Sequence, residues 1–334
     1  MPNHMNSCFV GLTALGTYVP EEIVTNDDLR KRGIETSDEW IQSRTGIKER
    51  RFAREDEFTS HLCIGAVENL VVRYGAKVLE GVDMVIVATS TPDALFPQTA
   101  ALVQNHFKLN AGAFDLLAAC PGWIYALSVA AAYTKSGIRK KVLAIGAEAL
   151  TKILDWSDRT TLVLFGDGAC AGIVEVVPEG YGFKSFVLGA DGEGGKHLNM
   201  RCINKTLPDG NPLSEFVSMN GREVFKFAVR VMHTATKQAV SEAGLELKDI
   251  AQFIPHQANY RIIDAAREYL ELPEDRVVAN VDRYGNTSAA SIGLALREAI
   301  DDGRIKDGHN LLLVTFGAGL TWAASVITWH EKSF

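Results

Sequence analysis

Phe114-Asp115-Leu116-Leu117-Ala118-Ala119-Cys120-Pro121-Gly122-Trp123-Ile124-Tyr125-Ala126-Leu127 reads as a short buried strand, a cysteine at the corner and then a helix. Phe114, Leu116, Leu117 and Ala118 give an apolar run of strand length. Pro121 suits the first helical position, where its missing N–H would have no partner and its fixed φ is already helical. From Trp123 to Tyr133 apolar residues continue almost all round, the mark of a buried helix. A thiol at the start of such a helix faces free N–H groups and a dipole that favours an anion, which would lower its pKa toward a reactive thiolate. The plainer alternative is a small, inert hydrophobe at a strand end.

Strands and helices alternate outward from this unit. A strand is expected at 9–15, closed by the turn Gly16-Thr17-Tyr18-Val19-Pro20, with helix starts at Thr25-Asn26-Asp27 and Thr36-Ser37-Asp38. Helix 59–74, the nearly continuous apolar strand 82–89, helix 99–108, strand 113–118 and strand 141–145 follow, then strand 162–165 and another ending at Val177. The second half repeats the plan with helix 221–243, strand 250–255, helix 262–270, strand 277–281, helix 289–300 and strands 311–316 and 322–328. This order predicts an α/β protein with mainly parallel sheets, built from two fused βα units, 1–182 and 183–334, joined through the loop 178–216.

In a duplicated fold of this kind, strand ends from both halves meet at a central seam, where open α/β sheets bind ligands. Cys120 stands at such an end in the first half; His256, Asn286 and the Gly317-Ala318-Gly319 turn stand at corresponding ends in the second. Cysteine, histidine and asparagine together form a nucleophilic constellation. Backbone N–H groups at Cys120 and Ala318 could form an oxyanion hole. Each also has a structural reading: a hydrogen-bonded core histidine, a capping asparagine, a hairpin turn.

The totals narrow the classes. The chain has 334 residues, 47% hydrophobic and 22% charged, enough for one large or two ordinary domains. A net charge of -7 argues against a general nucleic-acid or membrane-surface binder. Five cysteines without paired spacing point to a reducing compartment and to no metal site. Met1-Pro2-Asn3-His4-Met5 shows no signal peptide, and no apolar run approaches the ~20 residues of a membrane span, so a cytoplasmic location is expected. Gly166-Asp167-Gly168 and the glycine-rich run 189–195 lack the endings of nucleotide-binding loops, and no Gly-x-Ser-x-Gly elbow occurs. The run Arg44-Thr45-Gly46-Ile47-Lys48-Glu49-Arg50-Arg51 reads as a solvated charged face, and an exposed Trp40 beside it suits a nucleotide or phosphate.

Several motifs in order carry a resemblance: Thr36-Ser37-Asp38-Glu39-Trp40-Ile41, Arg44-Thr45-Gly46-Ile47, Ala119-Cys120, Phe165-Gly166-Asp167-Gly168-Ala169, Asn220-Gly221-Arg222-Glu223-Val224-Phe225-Lys226, Pro255-His256-Gln257-Ala258-Asn259, Gly285-Asn286-Thr287-Ser288 and Phe316-Gly317. Over nearly its whole length the chain resembles the β-ketoacyl-acyl-carrier-protein synthase III family of thiolase-fold condensing enzymes. The resemblance implies a five-layer αβαβα fold and a decarboxylative condensation of acyl-CoA with malonyl-acyl carrier protein, with acyl-CoA a substrate and no cofactor. It implies that Cys120 is the acylated nucleophile and that His256 and Asn286 are its partners. It further implies that Trp40, Arg44, Arg159 and Asn259 contact CoA, that Lys226 and Arg261 receive the carrier protein, and that Phe96 and Phe316 border the acyl pocket. In a homodimer Phe96 would reach into the partner's pocket.

The sequence departs from the family at Pro121-Gly122-Trp123, where a small residue and Gly-Phe are usual, and at Ala318, where glycine is common. Those changes bear on acyl-chain preference. Rival readings are a related acyl-CoA condensing or acyltransfer enzyme of secondary metabolism, a cysteine hydrolase or amidotransferase using Cys120 and His256, and a non-catalytic acyl-binding scaffold.

Overall fold

In the computed structural model, which describes residues 8–334, the first strand, β1 (Phe9–Tyr18), runs three residues past the expected end. The opening Met1 to Met5 lies outside the described residues. Gly16 does not turn the chain. A Cβ there would come within 2.4 Å of the Ala66 carbonyl oxygen and 2.5 Å of the Leu70 nitrogen, so the glycine lets helix α3 (Thr59–Tyr74) lie directly on the strand.

The ribbon β2 (Glu22–Thr25) and β3 (Glu49–Phe52) frames two short helices, α1 (Asn26–Lys31) and α2 (Asp38–Thr45). Thr25 caps α1 in a capping box with Asp28, and Ser37 caps α2 through the Trp40 N–H, as the sequence suggested. The basic run nearby is not all solvated. Arg50 is fully buried and donates to the Val24 and Val163 carbonyls and to Asn26 Oδ1, at 3.2, 2.7 and 2.8 Å. Burial lowers its pKa to about 10, leaving it a structural cation.

Apart from the short antiparallel pair Leu198–Asn199 and Ser218–Met219, the remaining strands form two sheets. The first orders β1 with β4 (Met84–Ala88), β5 (Gly112–Leu116), β6 (Lys141–Glu148) and β7 (Gly168–Val177) as β1-β7-β6-β4-β5. The second orders β8 (Gly182–Ala190), β9 (Gln252–Pro255), β10 (Asn310–Gly317) and β11 (Thr321–Thr328) as β9-β10-β11-β8. Each sheet is antiparallel at one end (β1–β7–β6 and β8–β11–β10) and parallel at the other (β6–β4–β5 and β10–β9), so four of the seven pairings are antiparallel and the sheets are mixed rather than mainly parallel. A fifth position in the second sheet is marked only by the bridge Phe253–Val277. The strand expected at 277–281 therefore does not form, and Val281–Tyr284 is a helical turn instead. Residues 162–165 are likewise no strand: Asp158 caps the helical turn Arg159–Leu162, and only Phe165 bridges, to Asn286. The expected joining loop 178–216 contains β8.

Five layers result. Helices α3 and α4 (Thr99–His106) cover the outside of the first sheet, and α6 (Gly221–Glu242) and α7 (Tyr260–Tyr269) cover the second. Between the sheets lie α5 (Gly122–Lys135) and α8 (Ser291–Asp301). Trp123, Leu127 and Leu296 share one apolar cluster with Ile86 and Ala144 of the first sheet and Ile254 and Leu313 of the second. Burying each side chain of that size contributes about 1.5–3 kcal/mol, which explains why α5 is apolar on nearly every side. The strand before Cys120 is different from its expected character. β5 is the edge of the first sheet, half-buried at best, and Leu117 beyond it is 76% exposed.

Candidate active site

Cys120 stands where β5 hands over to α5. Ala119 has φ +50°, in the left-handed region that costs a non-glycine residue energy and concentrates at functional turns. The Gly122 N–H closes the turn on the Ala119 carbonyl at 2.8 Å, and the Tyr125 N–H opens the helix on the Pro121 carbonyl at 3.1 Å. Pro121 is thus the cap residue, one position earlier than expected. The end of β10 presses on this corner. A Cβ on Gly317 would come within 2.9 Å of the Cys120 nitrogen and 2.8 Å of Pro121 Cδ. Thr321 Oγ1 donates to the Ala318 carbonyl at 2.7 Å and lies 3.3 Å from the Ala118 carbonyl, its alternative acceptor, so it sits between the Gly317–Gly319 turn and the cysteine loop.

His256 follows β9, and its N–H donates to the Val314 carbonyl at 2.8 Å. Its ring, 1% exposed, meets the ring of Phe316, the residue before Gly317, edge-on at 5.2 Å. Nδ1 pairs with Ser291 Oγ at 2.7 Å. Burial pushes the imidazole down to about 3, and it is neutral near pH 7.

Asn286 is pinned across the seam. Its N–H donates to the Leu164 carbonyl at 2.8 Å, and its carbonyl accepts from the Gly166 N–H at 3.1 Å. Its side-chain Oδ1 accepts the Ser288 N–H at 2.9 Å. Among the described residues nothing takes the protons of Asn286 Nδ2 or pairs with His256 Nε2. The carboxamide caps a turn and still has its donors free.

Two residues not singled out for chemistry in the sequence complete the corner. Ser288, with φ +46°, donates toward Cys120 Sγ at 3.3 Å and toward Glu148 Oε1 at 3.1 Å. Glu148 is the last residue of β6 and is fully buried. Ending that strand at Ile145 hid it; a carboxylate at the C-terminal end of a parallel strand was the available signal. Cys120 does not have the lowered pKa that its helix start suggested. Burial, with the Glu148 charge adding to it and the Ser288 hydroxyl opposing it, pushes the thiol up to about 12. Desolvation is the largest of these effects.

The residues matched to CoA form a cluster of their own. The guanidinium carbons of Arg159 and Arg44 lie 5.2 and 5.8 Å from the Trp40 ring centre. Trp40 is half-buried, not exposed, because it packs on an apolar cluster of the core. Asn259 uses both ends of its amide within the protein, accepting the Arg261 N–H at 2.9 Å and donating to the Arg44 carbonyl at 3.1 Å, so it holds Arg44 in place. Lys226 is exposed and paired with Glu223 at 2.7 Å, and Arg261 lies over Phe225 at 5.8 Å. Phe96 is 81% exposed, as is most of Leu95. An open cleft lined by Lys48, Tyr260, Asp264 and Arg267 contains none of Cys120, His256 and Asn286.

Comparison with known proteins finds the family of 3-oxoacyl-[acyl-carrier-protein (ACP)] synthase III over residues 114–192 and its C-terminal family over residues 240–329. The chain is 52% identical over 321 residues to β-ketoacyl-[acyl-carrier-protein] synthase III of Deinococcus deserti, covering 96% of this chain and 91% of that protein. The crystal structure of β-ketoacyl-[acyl-carrier-protein] synthase III from Thermus thermophilus matches with a TM-score of 0.95 at 63% identity, over 96% of this chain and 100% of that one. The corresponding structure from Aquifex aeolicus gives 0.88 at 41% identity, over 96% and 100%.

Proposed function

The chain belongs to the 3-oxoacyl-[acyl-carrier-protein] synthase III family, and on that footing we propose how its residues divide the work. It is a condensing acyltransferase of fatty-acid biosynthesis: it joins an acyl-CoA starter to malonyl-carrier protein and releases CoA, CO2 and 3-oxoacyl-carrier protein. The proposed nucleophile is Cys120, whose sulfur takes the acyl group from CoA. Malonyl-carrier protein then loses CO2, and its carbanion attacks the acyl-cysteine.

Loss of CO2 places negative charge on the thioester oxygen of the malonyl group. His256 Nε2 and Asn286 Nδ2 are the proposed donors to that oxygen. A neutral imidazole whose Nδ1 accepts from Ser291 carries its proton on Nε2, and this tautomer is assigned here because it makes a donor. One such donor is worth ~3 kcal/mol of transition-state stabilisation. The observation that carries the reading is that both groups are held by their other atoms while these donors remain without partners among the described residues. The Cys120 and Ala318 N–H groups are the proposed oxyanion hole for the acyl carbonyl, supported by the close packing of the Gly317–Gly319 turn on Cys120. The chemistry so divided calls on no cofactor.

Trp40, Arg44 and Arg159 are proposed to hold the adenine end of CoA by stacking and cation–π contact, with Arg159 parting from the ring to admit the base. Asn259 is proposed to act by holding Arg44. Lys226 and Arg261 are proposed to meet the acidic carrier protein, which fits cations exposed on neighbouring helices. Phe316 borders the acyl pocket in this reading, and Phe96 closes that of a second copy. A homodimer through the edge of β5 is supported by the exposed Leu95, Phe96 and Leu117 beside that unpaired strand. The mirrored order of the two sheets supports halves 1–182 and 183–334 as copies of one unit. No helix among the described residues is long and apolar enough to cross a membrane, and a cytoplasmic location is proposed. Incubation with acyl-CoA and malonyl-carrier protein tests the reading: CO2 and 3-oxoacyl-carrier protein support it, whereas free acid alone, or no turnover, overturns it.

A further inference from the structure

We propose that Glu148 is a positioning residue that shares one proton with Cys120 through the Ser288 hydroxyl, holding it while the cysteine is acylated and returning it when the sulfur departs. The inference rests on Cys120 as the nucleophile, the reading given above. Its ground is the chain of contacts Cys120 Sγ, Ser288 Oγ, Glu148 Oε1, at 3.3 and 3.1 Å. A serine hydroxyl has one hydrogen, so it donates to the thiolate or to the carboxylate, and not to both at once. The carboxylate is built to take part. Its Oε2 is occupied by the Ser90 N–H at 3.0 Å and by the Thr91 and Thr89 hydroxyls at 3.1 and 3.4 Å, leaving Oε1 to Ser288. With no cation paired to it among the described residues, a fully buried carboxylate pushed up to about 7 takes a proton readily near neutral pH.

The balance closes over the cycle. On acylation the Cys120 S–H bond breaks, its proton passes to Ser288 Oγ, and the proton of Oγ passes to Glu148 Oε1. A sulfur electron pair forms the bond to the thioester carbonyl carbon; the carbon–sulfur bond to CoA breaks, and the CoA sulfur keeps that pair and takes a proton from water. In condensation the carbanion pair forms the new carbon–carbon bond, the bond from Cys120 to the acyl carbon breaks, and the cysteine sulfur recovers its proton from Glu148 through Ser288. Glu148 is neutral while the malonyl group develops its negative charge, so it does not repel it.

Other titratable groups surround the pair. Cys63 of α3 and Cys170 of β7 are fully buried, and burial pushes both thiols well above their ordinary range; both stay protonated. His256, paired with Ser291, stays neutral down to about 3. Asp93 and Asp115, near Cys63, cap helix starts through the Ser60, Thr99 and Ala100 N–H groups. Asp167, adjoining the Glu148 partner Gly168, is pushed up to about 6, but its oxygens accept from Ala53 and Thr151 and touch neither Ser288 nor Cys120. It is present in every variant below, which makes it an internal control.

The test is the rate of Cys120 alkylation by iodoacetamide against pH, followed on the Cys120 peptide by mass spectrometry so that exposed Cys202 does not interfere. Two ionisations coupled by about one pK unit or more flatten the thiolate population above the first of them. The logarithm of the wild-type rate is expected to rise to about pH 7 and then bend over. Glu148→Gln is expected to stay straight, with alkylation about fivefold or more faster than wild type at pH 8. Ser288→Ala keeps the carboxylate but removes a hydroxyl that stabilises its charge, and its bend is expected above that of wild type. A straight wild-type profile, a bend unchanged in Glu148→Gln, or a bend unmoved in Ser288→Ala overturns the proposal. The wild-type profile decides even if a variant does not fold. Because alkylation reads the thiol itself, a failure here is distinct from a failure of Cys120 to carry the acyl group.

Discussion

Gly317 lies against Cys120 so closely that a Cβ on it would be 2.9 Å from the Cys120 nitrogen and 3.0 Å from its Cβ. The end of one sheet is packed on the nucleophile corner of the other, with no space for a methyl group. Gly317→Ala must therefore displace the Cys120 N–H that the acyl carbonyl would use. Acyl-enzyme formation is expected to fall at least tenfold. Melting should show a loss of about 1–3 kcal/mol, the usual cost of overpacking. Normal acylation in this variant would remove the Cys120 N–H from the oxyanion hole.

Asn286 has two jobs that one substitution separates. Asn286→Asp keeps an oxygen for the Ser288 N–H and loses the Nδ2 donors. Acylation from acyl-CoA is expected to persist, while CO2 release from malonyl-carrier protein falls by about 10²–10³. Equal loss in both half-reactions would contradict the role assigned to the carboxamide.

Trp40 and Arg159 are already in contact, at 5.2 Å, before any ligand arrives. Trp40→Ala and Arg159→Ala are expected to raise KM for acyl-CoA by about 2- to 30-fold, matching a cation–π contact of about 0.5–2 kcal/mol. kcat should be unchanged, since the contact is made equally in ground and transition states. A fall in kcat with KM intact would place the pair nearer the chemistry.

Glu148 also sets a pH dependence of stability. Its pKa in the folded protein, about 7, lies above the ordinary 4.5, so between those values the native state holds a proton that the unfolded chain has released. Stability from this group is therefore complete below about pH 4.5 and is lost as pH rises to about 7. His256 acts in the opposite sense, since unfolded histidine gains a proton near 6.5 that the folded ring refuses down to about 3. His256 is common to wild type and Glu148→Gln and cancels when the two are compared. The melting temperature of wild type relative to Glu148→Gln is expected to rise by several degrees from pH 7.5 to 4.5. A difference independent of pH would show that Glu148 is ionised alike in both states.

The alternation of strands and helices, the caps at Thr25 and Ser37 and the buried α5 were legible because each rests on local pattern. What was not legible depends on contacts between distant residues. Gly16 looked like a turn because nothing local announces that α3 will lie on it. Arg50 looked solvated because its carbonyl and amide partners, Val24, Asn26 and Val163, come from other elements. At 277–281 the apolar residues suited a strand, yet only Val277 pairs with β9. The thiol was misjudged for the same reason. A helix start is visible in sequence, whereas the depth of Cys120 and the carboxylate behind Ser288 are set by β6 and β10.

The most direct measurement is intact-protein and peptide mass spectrometry after incubation with acyl-CoA alone. The expected result is one acyl group per chain, on the peptide carrying Cys120 and absent from Cys120→Ala. An acyl group on any other residue, or one that persists in Cys120→Ala, would contradict the assignment of Cys120 as the nucleophile.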